Sequence, residues 1–198
     1  MQSLYEIETT VKRSAKAQGL SWGVSEEVGK AIRYLEQSNL VGLESFKRII
    51  DIGLDNLTKL LVIDQKNNQN LCPIHFGLFF LDQSHKKNLH QKFYFDSLRE
   101  PLIIIPFLSK AAKKNLIYFQ LDSAEIKLSI TPSDILSLSN NVIPHTISKF
   151  SISLTVERQT LYSAETWNSL YNLSLDTFVE ESEEKKLSGA GAGLTDND

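Results

Sequence analysis

The stretch SKFSISLTVER, residues 148–158, alternates between polar and apolar side chains. Because successive side chains of a β-strand point to opposite faces, this period of two predicts a strand with one buried and one solvated face. The predicted buried face contains Phe150, Ile152, Leu154 and Val156. A sheet built from strands of this kind is expected to pack one face on helices.

Four earlier stretches are also interpreted as strands, since they are short and apolar and are separated by polar residues. They are LCPIHFGLFFLD (71–82), PLIIIP (101–106), LIYFQLD (116–122) and AEIKLSI (124–130). Asp122-Ser123 is suited to a hairpin turn between the last two. FLSKAAKKN (107–115) is interpreted as a short helix.

The first third of the chain has the helical period instead. Ser3 and Glu6 have the spacing of a capping box, and apolar residues then recur every three or four positions. Gly19 is suited to the left-handed end of this helix. A second helix is predicted to begin near Ser21 or Ser25.

Two more helices complete the predicted elements. One follows Gly42, and within it Gly53 either permits close packing or splits the helix. Residues 64–70 form a polar break, after which the period changes. The last helix covers residues 163–179, with an inward face of Trp167, Leu170, Leu173 and Leu175.

A helical first third followed by strands predicts an α+β fold. We expect an N-terminal helical layer (residues 1–63) packed on a mostly antiparallel sheet (71–158), followed by the helix 163–179. These elements form a single predicted domain over residues 1–187. Residues 188–198 are expected to form a glycine-rich, acidic C-terminal tail. A doubly wound parallel sheet is disfavoured, because helices and strands do not alternate regularly.

Composition restricts the class of protein and its partners. The chain has 198 residues, a net charge of −3 and a pI of about 5.8, so it lacks the basic character of nucleic-acid-binding proteins. A single cysteine permits no internal disulfide and fits a reducing compartment. The longest apolar run, residues 101–108, is too short to span a bilayer.

We therefore expect a cytoplasmic protein without nucleic-acid or membrane partners. Its expected partner is a small polar molecule or another protein, and a homodimer is left open. The sequence leaves the cofactor unknown. No metal site is predicted, because the histidines lack carboxylate partners at a fixed spacing.

The end of the chain, LSGAGAGLTDND, is unusual in composition. It does not fit a phosphate-binding loop, which needs a strand before the glycines and a helix after them. One interpretation is a flexible, solvated terminus. The other is an extended strip that docks on a site. That interpretation assigns binding to Gly189, Gly191 and Gly193, and catalysis to Asp196 and Asp198.

A second candidate is SWGVSEEVGK, residues 21–30. Trp22 and Gly23 would form a wall of a pocket, in which Glu26 acts as a general base. The alternative is that Glu26 and Glu27 lie in the first turn of a helix, where the helix dipole favours carboxylates.

The third candidate is LCPIHFG, residues 71–77, in which Cys72 precedes His75 by three positions. In a strand this spacing places the two side chains on opposite faces, unless Pro73 begins a bulge. Cys72 is a candidate binding residue. The alternative is that the thiol simply packs in the core.

Three stretches of the chain resemble a bacterial family of domains of unknown function, family 3726. Two of them are SWGVSEEVGKAIRYL and SGAGAGLTDND, and the third, a looser match, is LCPIHFG with Asp82. The resemblance implies a single-domain bacterial protein in which Trp22, Gly23, Glu26, Cys72 and the tail act together. It implies no reaction and no ligand.

Two functions follow from these patterns. One is a small-molecule metabolic enzyme whose C-terminal tail completes a pocket. The alternative is a non-catalytic accessory or regulatory subunit whose tail docks into a partner enzyme.

Overall fold

The computed structural model describes residues 2–63, 66–133, 135–138, 143–156, 162–175 and 177. The chain divides into two compact units, Met1–Arg158 and Gln159–Asp198. The predicted boundary between a domain ending at residue 187 and the tail lies outside the described residues. Among the described residues, no helix is both long enough and apolar enough to cross a membrane.

The predicted N-terminal helices are confirmed as α1 (Leu4–Ala17), α2 (Trp22–Gln37) and α3 (Gly42–Ile52). The capping box begins α1, with the Glu6 amide donating to Ser3 Oγ at 3.2 Å and the Ser3 amide donating to Glu6 Oε2 at 2.7 Å. Gly19 follows α1 with φ of 89°, and Ser21 caps α2.

Gly53 was expected either to permit close packing or to split a helix, and the structure shows that the helix ends there. Gly53 has φ of 85° and ends α3, and the 3₁₀ turn Leu54–Asn56 follows it. Close packing occurs at Gly42 instead, where a Cβ atom would lie 2.7 Å from Leu35 Cβ. This glycine therefore lets α3 approach α2 closely.

Two segments predicted as strands are helical, so those predictions are wrong. Residues Pro73–Gln83 form α4, and Pro101–Ile103 form a 3₁₀ turn that leads into α5 (Ile104–Asn115). Both segments are largely buried, and a short apolar run has the same appearance in a buried strand and in a buried helix. Pro73 and Pro101 each occupy a first helical position, for which the fixed φ of proline is suited.

The sheet has five strands in the order β1-β5-β2-β3-β4, and all four pairings are antiparallel. The strands are β1 (Lys92–Arg99), β2 (Ile117–Asp122), β3 (Lys127–Ile130), β4 (Ile135–Leu138) and β5 (Thr146–Val156). Strands β2, β3 and β5 were predicted, whereas β1 and β4 were not. The predicted α+β class is confirmed.

Aromatic rings join α4 to the sheet. Phe76 lies 5.3 Å from Phe95 of β1 and 5.8 Å from Phe150 of β5, and Phe80 lies 6.1 Å from Phe119 of β2 (all distances between ring centroids). Helix α5 also contacts the sheet, at β2 and β3. Helix α2 contacts α5, and α3 contacts the 3₁₀ turn before α5, so α5 lies between the sheet and the N-terminal helices.

The predicted inner face of β5 is confirmed at Phe150, Ile152 and Leu154, which are buried. Val156, the last residue of the strand, is exposed, so its predicted burial is wrong.

In the second unit, Ala164–Leu175 forms α6, and Ser163 Oγ accepts a hydrogen bond from the Thr166 amide. The four side chains of the predicted inward face are 44–63% exposed in the described structure, so the prediction that they pack inward is not confirmed. Sequence periodicity identifies residues that share a face of a helix, but not whether that face is covered.

Candidate functional site

Glu100 is a buried carboxylate at the end of β1, with a side chain that is 4% exposed. Its backbone is left-handed (φ 40°, ψ 61°), which is uncommon for residues other than glycine, asparagine and aspartate. The amide N–H of Glu100 donates to the His145 carbonyl at 2.8 Å. Such backbone conformations cost about 1–3 kcal/mol and concentrate at functional sites, so the backbone of Glu100 is one indication of a functional site here.

Arg48 of α3 binds the Glu100 carboxylate through two hydrogen bonds. Arg48 Nε donates to Oε1 at 2.7 Å, and Nη2 donates to Oε2 at 3.0 Å. Nη2 also donates to Ser45 Oγ at 3.1 Å, which fixes the plane of the guanidinium. The hydrogen bond to Glu100 raises the pKa of Arg48. A forked pair of this kind is geometrically specific and holds the carboxylate in one orientation.

His145 is the second basic partner of Glu100. Its Nδ1 atom lies 3.3 Å from Glu100 Oε1, while the His145 side chain as a whole is 69% exposed. The next residue, Thr146, begins β5, whose register places it opposite Arg99 of β1. The pairing of β1 with β5 therefore brings Glu100 and His145 together, although 45 positions separate them in sequence. A carboxylate on one ring nitrogen orients the imidazole and sets the role of the other nitrogen.

Arg99 adds a second guanidinium beside this pair. Its Nε atom donates to Asn70 Oδ1 at 2.6 Å, and Nη1 donates to Thr146 Oγ1 at 3.1 Å. A cavity of about 340 Å³ is lined by Arg48, Asp51, Ile52, Arg99, Glu100 and His145. Asp51 is paired with Lys47. The cavity thus combines a carboxylate–histidine pair with two fixed cations, and such groups can move a proton and bind an anionic group.

We did not identify from the sequence the four central residues of this cavity, which are Arg48, Arg99, Glu100 and His145. Arg48 precedes Glu100 by 52 positions, so no local motif joins them. The available signal was a charged residue immediately before the apolar run that begins at Pro101. A glutamate in that position is expected to need a partner if the run is buried.

The predicted residues Trp22, Gly23 and Glu26 lie together in α2. Trp22 is the first residue of the helix, its ring is exposed, and Lys16 Nζ lies 5.6 Å from the ring centroid. Gly23 is the next residue, and a Cβ atom there would meet open space. The prediction that Glu26 and Glu27 lie in the first turn is wrong, because α2 begins earlier, at Trp22.

Glu26 forms ion pairs with two lysines instead. Its carboxylate lies 3.0 Å from Lys30 Nζ and 3.7 Å from Lys12 Nζ. The hydrogen bond from Lys30, and next the charge of Lys12, lower the pKa of Glu26. A lowered pKa makes a carboxylate a weaker base at neutral pH. The catalytic role of Glu26 and the binding roles of Trp22 and Gly23 remain predictions.

Cys72 and His75 are in contact, contrary to the strand-based expectation. Cys72 is the N-cap of α4, and His75 Nδ1 lies 3.3 Å from Cys72 Sγ. Cys72 is fully buried, and burial raises the pKa of its thiol. Burial also lowers the pKa of His75, assisted by the charge of Lys59. Both shifts favour a neutral thiol beside a neutral imidazole, which is a poor arrangement for nucleophilic attack. The binding role of Cys72 stays a prediction.

The remaining predicted residues lie in the tail. Gly189, Gly191, Gly193, Asp196 and Asp198 are outside the described residues, so their predicted roles are untested. Within the described part of the chain, no group of three or more histidine, cysteine, aspartate or glutamate side chains is placed to hold a metal ion.

Comparison with known proteins finds a resemblance to one family, over the first part of the chain. A search of curated proteins and a search of solved structures each found no match. Residues 2–86, less than half of the chain, match the model of the family described as "Protein of unknown function (DUF3726)". This segment contains α1 to α4, and with them Trp22, Glu26 and Cys72. Over residues 2–86 the protein therefore resembles the family of unknown function that its sequence motifs predicted.

Proposed function

We propose that the protein is an enzyme that transfers a proton to or from a small polar substrate carrying an anionic group. The observation that carries this proposal is the contact between the buried Glu100 carboxylate and His145 Nδ1 at the edge of a 340 Å³ cavity. The class of function is the small-molecule enzyme predicted from the sequence. The proposed chemistry lies at residues other than those predicted.

In this proposal, His145 is the general acid or base. When Nδ1 donates its proton to Glu100, Nε2 is left as the basic nitrogen of the neutral ring. The Glu100 carboxylate also stabilises the imidazolium that forms when Nε2 takes a proton. Because Arg48 binds both carboxylate oxygens, the Glu100 carboxylate is held in a fixed position beside His145.

Arg99 is the proposed binding group for the substrate anion. Asn70 and Thr146 orient its guanidinium, and its side chain lines the same cavity as His145. A planar, oriented guanidinium suits a carboxylate or a phosphate. The cavity volume is at the lower end of the range for ligand pockets, so it fits a small molecule.

The first test is the protonation state of His145, measured by ¹⁵N NMR of the full chain. We expect the neutral ring to carry its proton on Nδ1, and Glu100→Gln to reduce this preference, because an amide is a weaker acceptor than a carboxylate. His85, an exposed histidine, is the internal control. A His145 ring protonated on Nε2 in both proteins would contradict the proposal.

The second test is turnover of a panel of small carboxylates and phosphate esters. His145→Gln is expected to lower turnover about 100-fold or more, in line with the usual contribution of a general acid or base. His85→Gln should leave turnover unchanged. Turnover that survives in His145→Gln would exclude His145 as the proton-transfer group. A panel that gives no turnover and does not shift the His145 resonances would count against an enzyme of this substrate class.

The predicted roles of Glu26 and Asp196 are separable from this proposal. If the tail supplies catalytic groups to a pocket, Glu26→Ala and Asp196→Ala should each abolish turnover without unfolding the protein. Full activity in both variants, with loss in His145→Gln, would place the chemistry at His145 alone.

The alternative function, an accessory subunit that binds a partner enzyme, is favoured by one described feature. Helix α6 exposes Trp167, Leu170, Tyr171 and Leu173, which is the composition of a helix that binds in an apolar groove. Thermal unfolding of the full chain and of a chain ending at Leu187 tests the predicted tail. An unchanged Tm would favour the accessory role, whereas a loss of several degrees would favour a tail that packs on its own fold.

A further inference from the structure

The cavity beside Glu100 contains two acidic side chains, and a cation already pairs with each. Arg48 binds the Glu100 carboxylate, and Lys47 pairs with Asp51. The other cation of the lining is Arg99, which is half-buried and has no carboxylate partner among the residues that the structure describes. With the imidazole neutral, the lining therefore keeps one unpaired positive charge.

Arg99 also has N–H donors that the described fold does not use. A guanidinium has five N–H groups. One of them, on Nε, donates to Asn70 Oδ1 at 2.6 Å, and one on Nη1 donates to Thr146 Oγ1 at 3.1 Å. Each Nη atom keeps at least one donor without a partner in the described part of the chain. Two such donors on one edge of the guanidinium suit the two oxygens of a carboxylate.

Asn70 orients Arg99 without neutralising it, and all four of its polar groups are used. The Asn70 amide donates to Ser97 Oγ at 2.7 Å, and its carbonyl accepts from the Thr58 amide at 3.0 Å. Nδ2 donates to the Asn56 carbonyl at 3.0 Å, while Oδ1 accepts from Arg99. The backbone of Asn70 is left-handed (φ 53°), a conformation that asparagine adopts more readily than most residues. A carboxylate in this position would pair with the guanidinium, whereas the amide leaves its charge unpaired.

We infer that the cavity takes a small monocarboxylic acid, and that Asn70 is the positioning residue that leaves the charge of Arg99 to the substrate carboxylate. This inference rests on the proposed function and names its substrate class. One unpaired positive charge is balanced by one negative group. A second carboxylate would lie near Glu100 and Asp51, and like charges in such a small space disfavour a dianion. Ile52 also lines the cavity and provides an apolar contact for a short aliphatic chain.

The first experiment titrates the full chain with butyrate and with succinate, in which a second carboxylate replaces the methyl group of butyrate. Binding is followed by the ¹H–¹⁵N resonances of the Arg99 and His145 side chains at constant ionic strength, with chloride as the control anion. We expect saturable shifts with butyrate and binding of succinate that is weaker by about fivefold or more. Equal or tighter binding of succinate, or butyrate shifts no different from those with chloride, would overturn the inference.

The variant Asn70→Asp tests the positioning role, because it replaces a neutral acceptor with a charged one of nearly the same size. We expect butyrate affinity to fall about tenfold or more, while the Arg99 Nε–H stays hydrogen-bonded and protected from exchange with water. Gln69→Glu is the matched control, since it adds the same charge at the adjacent, exposed position and should keep the affinity. Unchanged affinity in Asn70→Asp, an equal loss in Gln69→Glu, or loss of the Nε–H protection together with affinity would contradict this role.

The variant Arg99→Gln gives a test that does not depend on residue 70. It removes the charge and should abolish saturable butyrate binding in a chain whose folding is confirmed by its Tm. A folded Arg99→Gln chain that still binds butyrate would overturn the inference.

These results are separable from those for the proposed function. If butyrate does not bind but the His145 tautomer and turnover tests succeed, the monocarboxylate class is wrong and proton transfer stands. If butyrate binds as expected but His145→Gln keeps full turnover, the anion site stands and the proposed proton transfer fails.

Discussion

Glu100 and Glu26 each have two basic partners, but the two carboxylates lie in very different surroundings. Glu100 is bound by Arg48 and His145 and its side chain is 4% exposed, whereas Glu26 is bound by Lys12 and Lys30 and its side chain is 47% exposed. Water screens the second cluster and is largely excluded from the Glu100 carboxylate. We therefore expect the glutamate at position 100 to contribute much more to the stability of the fold than the glutamate at position 26.

The comparison also separates residues that are conspicuous in the sequence from residues that the fold holds in a fixed geometry. Glu26 stands in a recognisable stretch of sequence, but both of its partners lower its pKa, which makes it a weaker base. Glu100 stands in no motif, yet a strained backbone and a forked arginine hold it against a histidine. Proton transfer needs fixed geometry more than it needs a recognisable motif.

The largest expected effect is that of Glu100→Ala. Removing the buried carboxylate leaves Arg48, whose side chain is 33% exposed, without its partner, which should lower the free energy of unfolding by about 1–3 kcal/mol. Urea denaturation measures this loss. The double variant Arg48→Met/Glu100→Leu should recover much of it, because a well-packed apolar pair carries no charge to desolvate. A single variant as stable as the unmodified chain would remove the distinction between the two carboxylates.

An intermediate effect is expected from pH at His75. Burial lowers the pKa of His75 in the folded protein below its ordinary value of 6.5, so the unfolded chain binds more protons between the two values. The free energy of unfolding should therefore fall as the pH drops below 6.5, and it should stop falling once the pH is below the pKa of His75 in the folded protein. The measurement is urea denaturation at pH 7 and at about pH 5.5, where carboxylates stay largely ionised.

The variant His75→Gln should show a smaller loss of stability over this pH interval than the unmodified chain. His85→Gln, at an exposed position, is the control and should keep the full pH dependence. An identical dependence in His75→Gln and the unmodified chain would show that the buried imidazole is not the titrating group.

The smallest effect is expected from Glu26→Gln. Its partners are two lysines whose side chains are 36% and 48% exposed, and ion pairs in such surroundings contribute little to stability and are screened by salt. We expect no resolvable change in Tm at physiological ionic strength, measured by calorimetry beside Glu100→Ala. A loss comparable to that of Glu100→Ala would show that the Glu26 cluster is structurally important despite its exposure.

The sequence was most informative where the signal is local. The capping box at Ser3, the left-handed Gly19 and the alternation of β5 were predicted, and Ser21, one of the two starts considered for α2, caps that helix. Each of these signals depends on residues within one turn or one strand. The same local rules failed for α4 and for the start of α5, since both segments are apolar on nearly every side and have lost their period.

The sequence by itself determined the α+β class, the N-terminal helices and three of the five strands, because period and capping are properties of neighbouring residues. Only the tertiary structure decided which charged residues meet. The β1–β5 register joins Glu100 to His145, and α3 brings Arg48 to them from 52 positions away. Pairings over such separations depend on how whole elements pack, and this depends on the summed burial of many side chains rather than on a motif.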